Sequence, residues 1–500
     1  MIEIENSENL FDISNENKIY SKEEAAEIEP EPKEEEPVQT SSEPIVRSFL
    51  ITEDKIYLSV MDNDGWPQFA YMEKGQISYA SNIQKDGLDV YPRQLPINNG
   101  SYVPIVGVPI SGYIDEAPDV EPEELFELLH IHMKKYIDAP EIDMEMYIHF
   151  ILFTWLYKKL NTTPYLRFIG DTGKGKSRFL RVVSDLCFYP MNMEGASTIS
   201  AISRFKEQWN GTLKIDEADI NGGTENSMIK YLNLGFEEGH YIAKTNVANH
   251  QEQEFFDPFC PKVIAMRKPF LDMATEGRLL SFAPRETTRT DIPSNLPPEY
   301  NEQVDKIRGI ITRFVLQNWN RVDPNNLIDC SDMEIEGRLK QLTVPLSLTL
   351  QLLPDGEERF KDYMARRQDE VKQVRSQSWE GTIFNYVFAL AKGEDEPHPD
   401  FAQYSTDDGI AAVTPSMVAK HIGASTKAIS QALGSIGITT EQTTVRLQTG
   451  SKKVRQYVVP DENTWREIVR RYYYTDEELE DRNPDCPEVL RSRRYGVSMN

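Results

Sequence analysis

The chain has 500 residues, with 81 Asp and Glu against 54 Lys and Arg, for a formal net charge of −27. That balance excludes wholesale binding to a polyanion, so any nucleic-acid contact has to come from local basic patches on an acidic body. Four scattered cysteines without a C-x-x-C pair and seven histidines without metal spacing point away from a disulfide framework or a structural metal.

Residues 1–43 hold fourteen acidic and three basic side chains, with Glu-Pro repeats and few apolar anchors. Such a segment cannot bury enough apolar surface to offset its ordering entropy, so an acidic disordered tail is expected. No basic-then-apolar signal pattern opens the chain. From 44 to 118, short alternating runs such as Lys55-Ile-Tyr-Leu-Ser-Val60 are separated by the turn signals Asp64-Gly65 and Asn99-Gly100. They predict a small β-rich module. Residues 119–160 read as a helical collar: Leu125, Leu128, Leu129 and Ile131 mark one helix, and Tyr147, Ile151, Trp155 and Leu156 the next. The most apolar run, Met146 to Leu156, falls well short of the roughly twenty residues that span a bilayer, which predicts a soluble, cytoplasmic protein. Residues 161–290 alternate apolar runs with helical patterns, an α/β signature. A helical segment is expected over 300–378, a further compact domain over 380–460, and a charged tail over 461–500.

The α/β region contains Gly170-Asp171-Thr172-Gly173-Lys174-Gly175-Lys176-Ser177, a complete G-x-x-x-x-G-K-S between a strand-like run and a helical one. Glycines let such a loop wrap with its N–H groups aimed at phosphate oxygens, and the helix N-terminus adds its positive dipole. Lys176 is expected to reach the β- and γ-phosphates and Ser177 to ligate Mg²⁺. Thirty-nine residues after Ser177, a second strand-like run ends in Asp216-Glu217. Asp216 belongs in the magnesium shell. Glu217 would orient and deprotonate the attacking water, the chemistry of a hydrolase rather than a phosphotransferase. ATP and Mg²⁺ are therefore the expected ligands.

Together with Phe153-Thr154-Trp155, Thr163-Pro164-Tyr165 and Lys214-Ile-Asp-Glu-Ala-Asp219, these motifs resemble the AAA+ ATPases of phages and plasmids. Those are the helicase halves of primase–helicases and their superfamily 3-like relatives, and the resemblance covers residues 145–285. It implies a P-loop, parallel-sheet core in a ring, usually a hexamer, each site completed by a neighbour's arginine. Arg278 stands at the matching position and Arg267 is the rival. The family's polar sensor would follow the strand Lys262–Met266, where this chain has Met266, Arg267 and Lys268. In the resembled ATPases a hairpin lying before that strand projects into the pore and grips single-stranded or forked DNA. Alternation on both sides of an Asn-containing turn predicts that hairpin here, with Lys244 and His250 as the contacts.

Thr414 to Leu433 reads as helix, glycine-containing turn and helix, with Ser425 where an N-cap belongs, and Val445 to Tyr457 reads as a hairpin. Together they look like a winged helix-turn-helix. Residues 413–459 hold six basic side chains and one acidic, a local +5 within the acidic chain. Lys427, Lys452, Lys453 and Arg455 are the expected contacts to duplex DNA. The combined expectation is an ATP-hydrolysing ring helicase or translocase acting in replication of a phage or plasmid. A replication initiator or regulatory DNA-binding switch with little unwinding is the first alternative. An ATP-driven protein remodeller is the second, although the sequence offers no aromatic-apolar-glycine pore loop. Residues 45–115 are too short for a primase, which would be a separate chain.

Overall fold

The computed structural model of the chain describes residues 44–495 except 54, 104, 172, 195–196, 217–225, 246–251, 354–355, 407–408, 448–449, 475–483 and 494. The expected acidic tail lies outside the described residues, as do Thr172, Glu217 and His250.

Five strands form the central sheet: β1 (Tyr165–Ile169), β2 (Met191–Glu194), β3 (Leu213–Asp216), β4 (Lys262–Met266) and β5 (Leu279–Phe282). Their order is β2-β3-β4-β1-β5, and every pairing is parallel. Interior parallel strands are covered on both faces and read as continuous buried runs. β4 is buried along its whole length, and β1 at all but its last residue. The polar members of these runs are paired rather than left bare. Arg167, mid-strand in β1, forks onto the Glu276 carboxylate and donates to Ser281 Oγ at 2.9 Å. Lys262 donates to the carbonyls of Gly235, Pro258 and Cys260 and to the Tyr165 hydroxyl. Burial still pulls its ammonium down to about 8. The chain leaves β1 toward the β2 edge and later passes it to reach β5, so the order reverses beside β1. Open parallel sheets hold their ligands outside the strands' carboxyl ends at such a point.

The apolar run ending at Leu156 is a core helix. Helices α1 (Pro122–Tyr136) and α2 (Glu141–Leu156) precede the sheet, and α2 is buried on every side from Met146 onward. A helix apolar all round belongs in an interior. Helix α1 opens on Pro122, with the Glu124 carboxylate accepting from the Glu121 N–H at 2.9 Å. No helix among the described residues is long and apolar enough to cross a membrane. The N-terminal strands Phe49–Ile51, Ile56–Met61, Pro67–Glu73 and Gln76–Ala80 form an antiparallel sheet in that order. Tyr189 ties it to the core by donating to the Ser59 carbonyl at 2.7 Å.

Helix α3 (Lys176–Ser184) follows β1 and packs on the sheet, and beyond the sheet come α4 (Tyr300–Asn318), α5 (Gly337–Thr343) and α6 (Glu357–Ser376). A second set of buried apolar side chains runs from Ile383 to Leu490. It is built by α7 (Trp379–Lys392), α8 (Pro415–Ile422), α9 (Thr426–Ser435), the hairpin β6 (Thr439–Leu447) and β7 (Gly450–Val458), and α10 (Glu462–Tyr472). Ser425 caps α9 by accepting from the Ala428 N–H at 3.2 Å. Gly423, at φ +74°, ends α8 in the left-handed region.

One expectation fails here. The segment from 461 is not simply a charged tail, because α10 buries Trp465, Ile468 and Val469. The Trp465 ring packs on Phe388 and Phe384, and its Nε1 donates to the Pro484 carbonyl at 2.7 Å. Charge dominates the composition, but these apolar positions at helical spacing share one face. Trp465→Ala should therefore cost about 3–5 kcal/mol of stability in chemical denaturation, against nothing measurable for a tail residue.

Candidate nucleotide and nucleic-acid sites

The loop after β1 has the backbone a phosphate cradle needs. Gly173 and Gly175 sit at φ +86° and +84°, a region costly for any residue with a Cβ. Gly175 is the N-cap of α3, so the helix's first N–H groups face the loop. Lys176 donates to the Asp171 carbonyl at 2.7 Å, which holds its ammonium within the curve of the loop. The Ser177 hydroxyl donates to Asp216 Oδ1 at 3.2 Å, bringing the end of β3 to the start of α3. A hydroxyl and a carboxylate converging beside a glycine loop suit a magnesium-bound triphosphate. Glu217, next in the chain, lies outside the described residues.

The N-terminal strands, to which the sequence assigned no chemistry, reach this site. Ser177 and Asp216 stand in the wall of a cleft of about 1090 Å³ whose other wall includes Asp62 and Asn63. In the same lining Asp185, at the end of α3, accepts from Lys214 at 3.2 Å and from the Tyr300 hydroxyl at 3.2 Å. Its backbone carbonyl accepts from Arg308 Nε at 2.7 Å. The helix that follows the P-loop is thereby fixed to β3 and to α4.

Arg278 lies at the opposite edge of the sheet. Its carbonyl accepts from the Tyr165 N–H at 3.1 Å, at the amino end of β1, whereas the P-loop leaves the carboxyl end. At about 3.3 Å per residue those ends are roughly 13 Å apart, further than an arginine side chain extends. The guanidinium donates to the Ala274 carbonyl and lies 5.4 Å from the centre of the Phe236 ring. Arg338, unmarked by any motif, lies 5.6 Å from the same ring. Arg267 stands on the other side of the sheet: it follows Met266, whose carbonyl accepts from the Gly170 N–H at 3.3 Å. Met266 itself is buried, with its sulfur accepting from Arg167 at 3.8 Å.

The hairpin Ile242–Thr245 and Gln253–Phe256 forms, but Lys244 is not on its outer face. Ile242 and Phe256 must turn inward, and with the period of two along a strand Lys244 shares their side. Its ammonium lies 5.5 Å from the Phe256 ring centre and has no hydrogen-bond partner among the described residues. Burial, and then the nearby Arg204, pull its pKa below the usual lysine value. The outer face instead carries Tyr241 and Phe255, 61% and 64% exposed.

Around α9 and the β6–β7 hairpin, Lys427, Lys452 and Arg455 line one groove of about 630 Å³. Arg455 Nε donates to Thr440 Oγ1 at 2.8 Å, and Lys452 stands 5.6 Å from the Tyr404 ring centre. Lys453 is exposed but is not part of that lining.

No family model and no curated protein matches the chain. Solved structures do align. The apo C-terminal region of NrS-1 aligns over 81% of this chain and 96% of its own, at 10% identity and a TM-score of 0.38. The active helicase Cch of SCCmec type IV aligns over 83% and 79%, at 9% identity and a TM-score of 0.38. The JCV helicase aligns over 56% and 69%, at 12% identity and a TM-score of 0.23. Likeness at this level carries no functional argument, which rests on the residues themselves.

Those residues make a local prediction. Alanine at Gly175 either leaves the left-handed region or bears about 1–2 kcal/mol of strain. Gly175→Ala should therefore weaken binding of a non-hydrolysable ATP analogue roughly tenfold in calorimetric titration. Unchanged affinity would remove the loop from the binding site.

Proposed function

We propose that the chain is a DNA-dependent ATP hydrolase, a ring helicase or translocase serving replication of a mobile element such as a phage or plasmid. The observation that carries this reading is the meeting of Ser177 and Asp216 beside the glycine loop, at the carboxyl edge of a parallel sheet. The loop N–H groups and Lys176 bind the triphosphate. Ser177 and Asp216 would hold Mg²⁺, which when bound draws charge from the β- and γ-phosphates. Glu217 orients a water and takes its proton as the water oxygen attacks the γ-phosphorus and ADP leaves. Arg278, out of reach of its own P-loop, acts on the nucleotide of the next copy in a ring. The roughly 13 Å between the two ends of β1 supports that assignment.

The DNA contact is assigned to the groove of Lys427, Lys452 and Arg455, in a winged helix-turn-helix. Three cations beside two helix N-termini suit a phosphate backbone, and their placement outside the sheet makes the grip separable from the motor. That separability also favours the second reading, a replication initiator whose ATP binding assembles the chain on a DNA site. Strand displacement on forked DNA divides the two: a helicase unwinds, an initiator does not.

Hydrolysis gives the first test. Lys176→Ala should abolish nucleotide binding, whereas Glu217→Gln should keep it and lose turnover by about 10²-fold or more. Wild-type turnover in Glu217→Gln would overturn the water-activating role. For the grip, replacing Lys427, Lys452 and Arg455 with alanine should weaken duplex binding at low salt. It should also flatten the salt dependence by about 0.9 per lost phosphate contact, leaving DNA-independent ATP turnover intact. Lys453→Ala should change the slope least. An unchanged slope in the triple variant would assign the groove to another partner.

A further inference from the structure

We infer that Arg338 forms, with Arg278, a two-guanidinium site for the triphosphate bound by a second copy of this chain. The inference rests on the ring reading above and adds a residue that no motif marks.

The two side chains are held together by packing. Both guanidiniums lie over Phe236, at 5.4 and 5.6 Å from the ring centre. A Cβ at Gly277 would stand 3.1 Å from Arg338 Nε, so Arg338 lies flush on the backbone next to Arg278. The rest of each neighbourhood is pinned. Asp272 caps the short helix Met273–Glu276 through the Thr275 N–H at 2.8 Å and also accepts from Asn233 at 2.9 Å. At the start of α5, the Glu336 N–H donates to Gln368 at 2.9 Å, and the Glu336 carboxylate accepts from Arg375. The core sheet thus presents one arginine and the helical segment beyond it presents the other.

Arg278 donates to a backbone carbonyl, and Arg338 to Gln341 at 2.8 Å. Neither forms an ion pair among the described residues. The carboxylates nearest in the chain are committed: Glu276 to Arg167 and the Phe270 N–H, Asp272 to Asn233 and Thr275. Glu237, the acid that acts on Arg338, is exposed. Burial and then Arg278 push the Arg338 guanidinium below its usual range, as expected of like charges held side by side. An arrangement that repels itself is relieved by an anion with several acceptor oxygens, and guanidinium forks match phosphate. The chain's own triphosphate loop is at the far end of β1, so the anion comes from outside the chain, and on the ring reading it is the triphosphate of another copy.

The test uses full-length protein and measures nucleotide affinity, ATP turnover and mixed assemblies. Arg338→Gln keeps the stem and removes the charge, and Arg338→Ala removes both. Each should bind ATP like the parent yet lose about tenfold or more in kcat, because the lost charge acts on a neighbour's phosphate. Mixing Arg338→Gln with Lys176→Ala should restore activity, since one kind of interface then pairs an intact loop with both arginines. Mixing Arg338→Gln with Arg278→Ala should not, because both arginines have to come from the same copy. Retained kcat in both Arg338 variants, with Arg278→Ala inactive and rescued by Lys176→Ala, overturns this inference and leaves the ring reading standing. Failure of Arg278→Ala to be rescued overturns the ring reading itself. Loss of DNA affinity in Arg338→Gln with unchanged DNA-independent turnover would assign the pair to nucleic acid and overturn the inference.

Discussion

Arg167 is a cation in the middle of a buried strand, 3% exposed, and its fork onto Glu276 ties the strand that leads into the P-loop to the turn that carries Arg278. The strand it sits on ends in the P-loop. The carboxylate it grips lies two residues before Arg278. A buried pair of this kind contributes little net stability compared with a well-packed apolar pair, but removing one partner leaves an uncompensated buried charge and costs several kcal/mol. The pair is better understood as a positional constraint. Glu276 also accepts from the Phe270 N–H at 3.1 Å, so the turn from Phe270 to Arg278 has one favourable seat against β1.

A comparable constraint acts on the other face of the nucleotide loop. Asp185 collects Lys214 from β3 and Tyr300 from α4, and its carbonyl takes Arg308. Arg181, one turn earlier, reaches Asn301 at 3.1 Å. The helix after the loop, the strand that carries Asp216 and the first helix beyond the sheet therefore move as a unit. Displacing any of them strands a polar group in a largely buried place. The N-terminal strands close the same cleft through Asp62 and Asn63, which gives a role to a module whose sequence shows only strands and turns.

The limits of the sequence follow from the range over which its signals act. The P-loop was legible because its spacing is dictated by the local backbone of a single strand–loop–helix unit, and Asp216 because it is the polar end of a second apolar run, which the fold then brings to Ser177. The parallel sheet was legible in the apolar runs of β1 and β4. The burial of Lys244 was not legible, because alternation shows that a lysine and an isoleucine share a face but not which face is buried; Phe256 on the partner strand decides that. The helix at 462–472 was hidden by its charges, which outnumber the apolar positions that pack. Arg338 was not legible at all. It lies sixty residues from Arg278, and only the fold brings both to Phe236, itself a hundred residues before Arg338.

These placements have a mechanical consequence on the proposed reading. β1 is five residues long and pairs in register with β4 on one side and β5 on the other, so it has little freedom to deform. One of its ends holds the loop that senses the chain's own nucleotide. The other is bonded to the carbonyl of the arginine that serves the next copy. A shift of the loop on nucleotide binding is transmitted along a rigid strand rather than dissipated in a flexible linker, because packed interiors do not deform continuously. Arg278 and Arg338 differ in how they receive it. Arg278 moves with β1 and β5, whereas Arg338 rides on α5, anchored through Glu336 to α6. Closing the pair around a phosphate therefore requires the sheet and the following helices to adopt one relative position. That requirement makes each interface sensitive to the nucleotide of the copy that donates the arginines as well as the copy that holds the phosphate. Firing around a ring is then coupled through contacts already visible in a single chain, by an energy equal to the differential affinity of the two states for nucleotide.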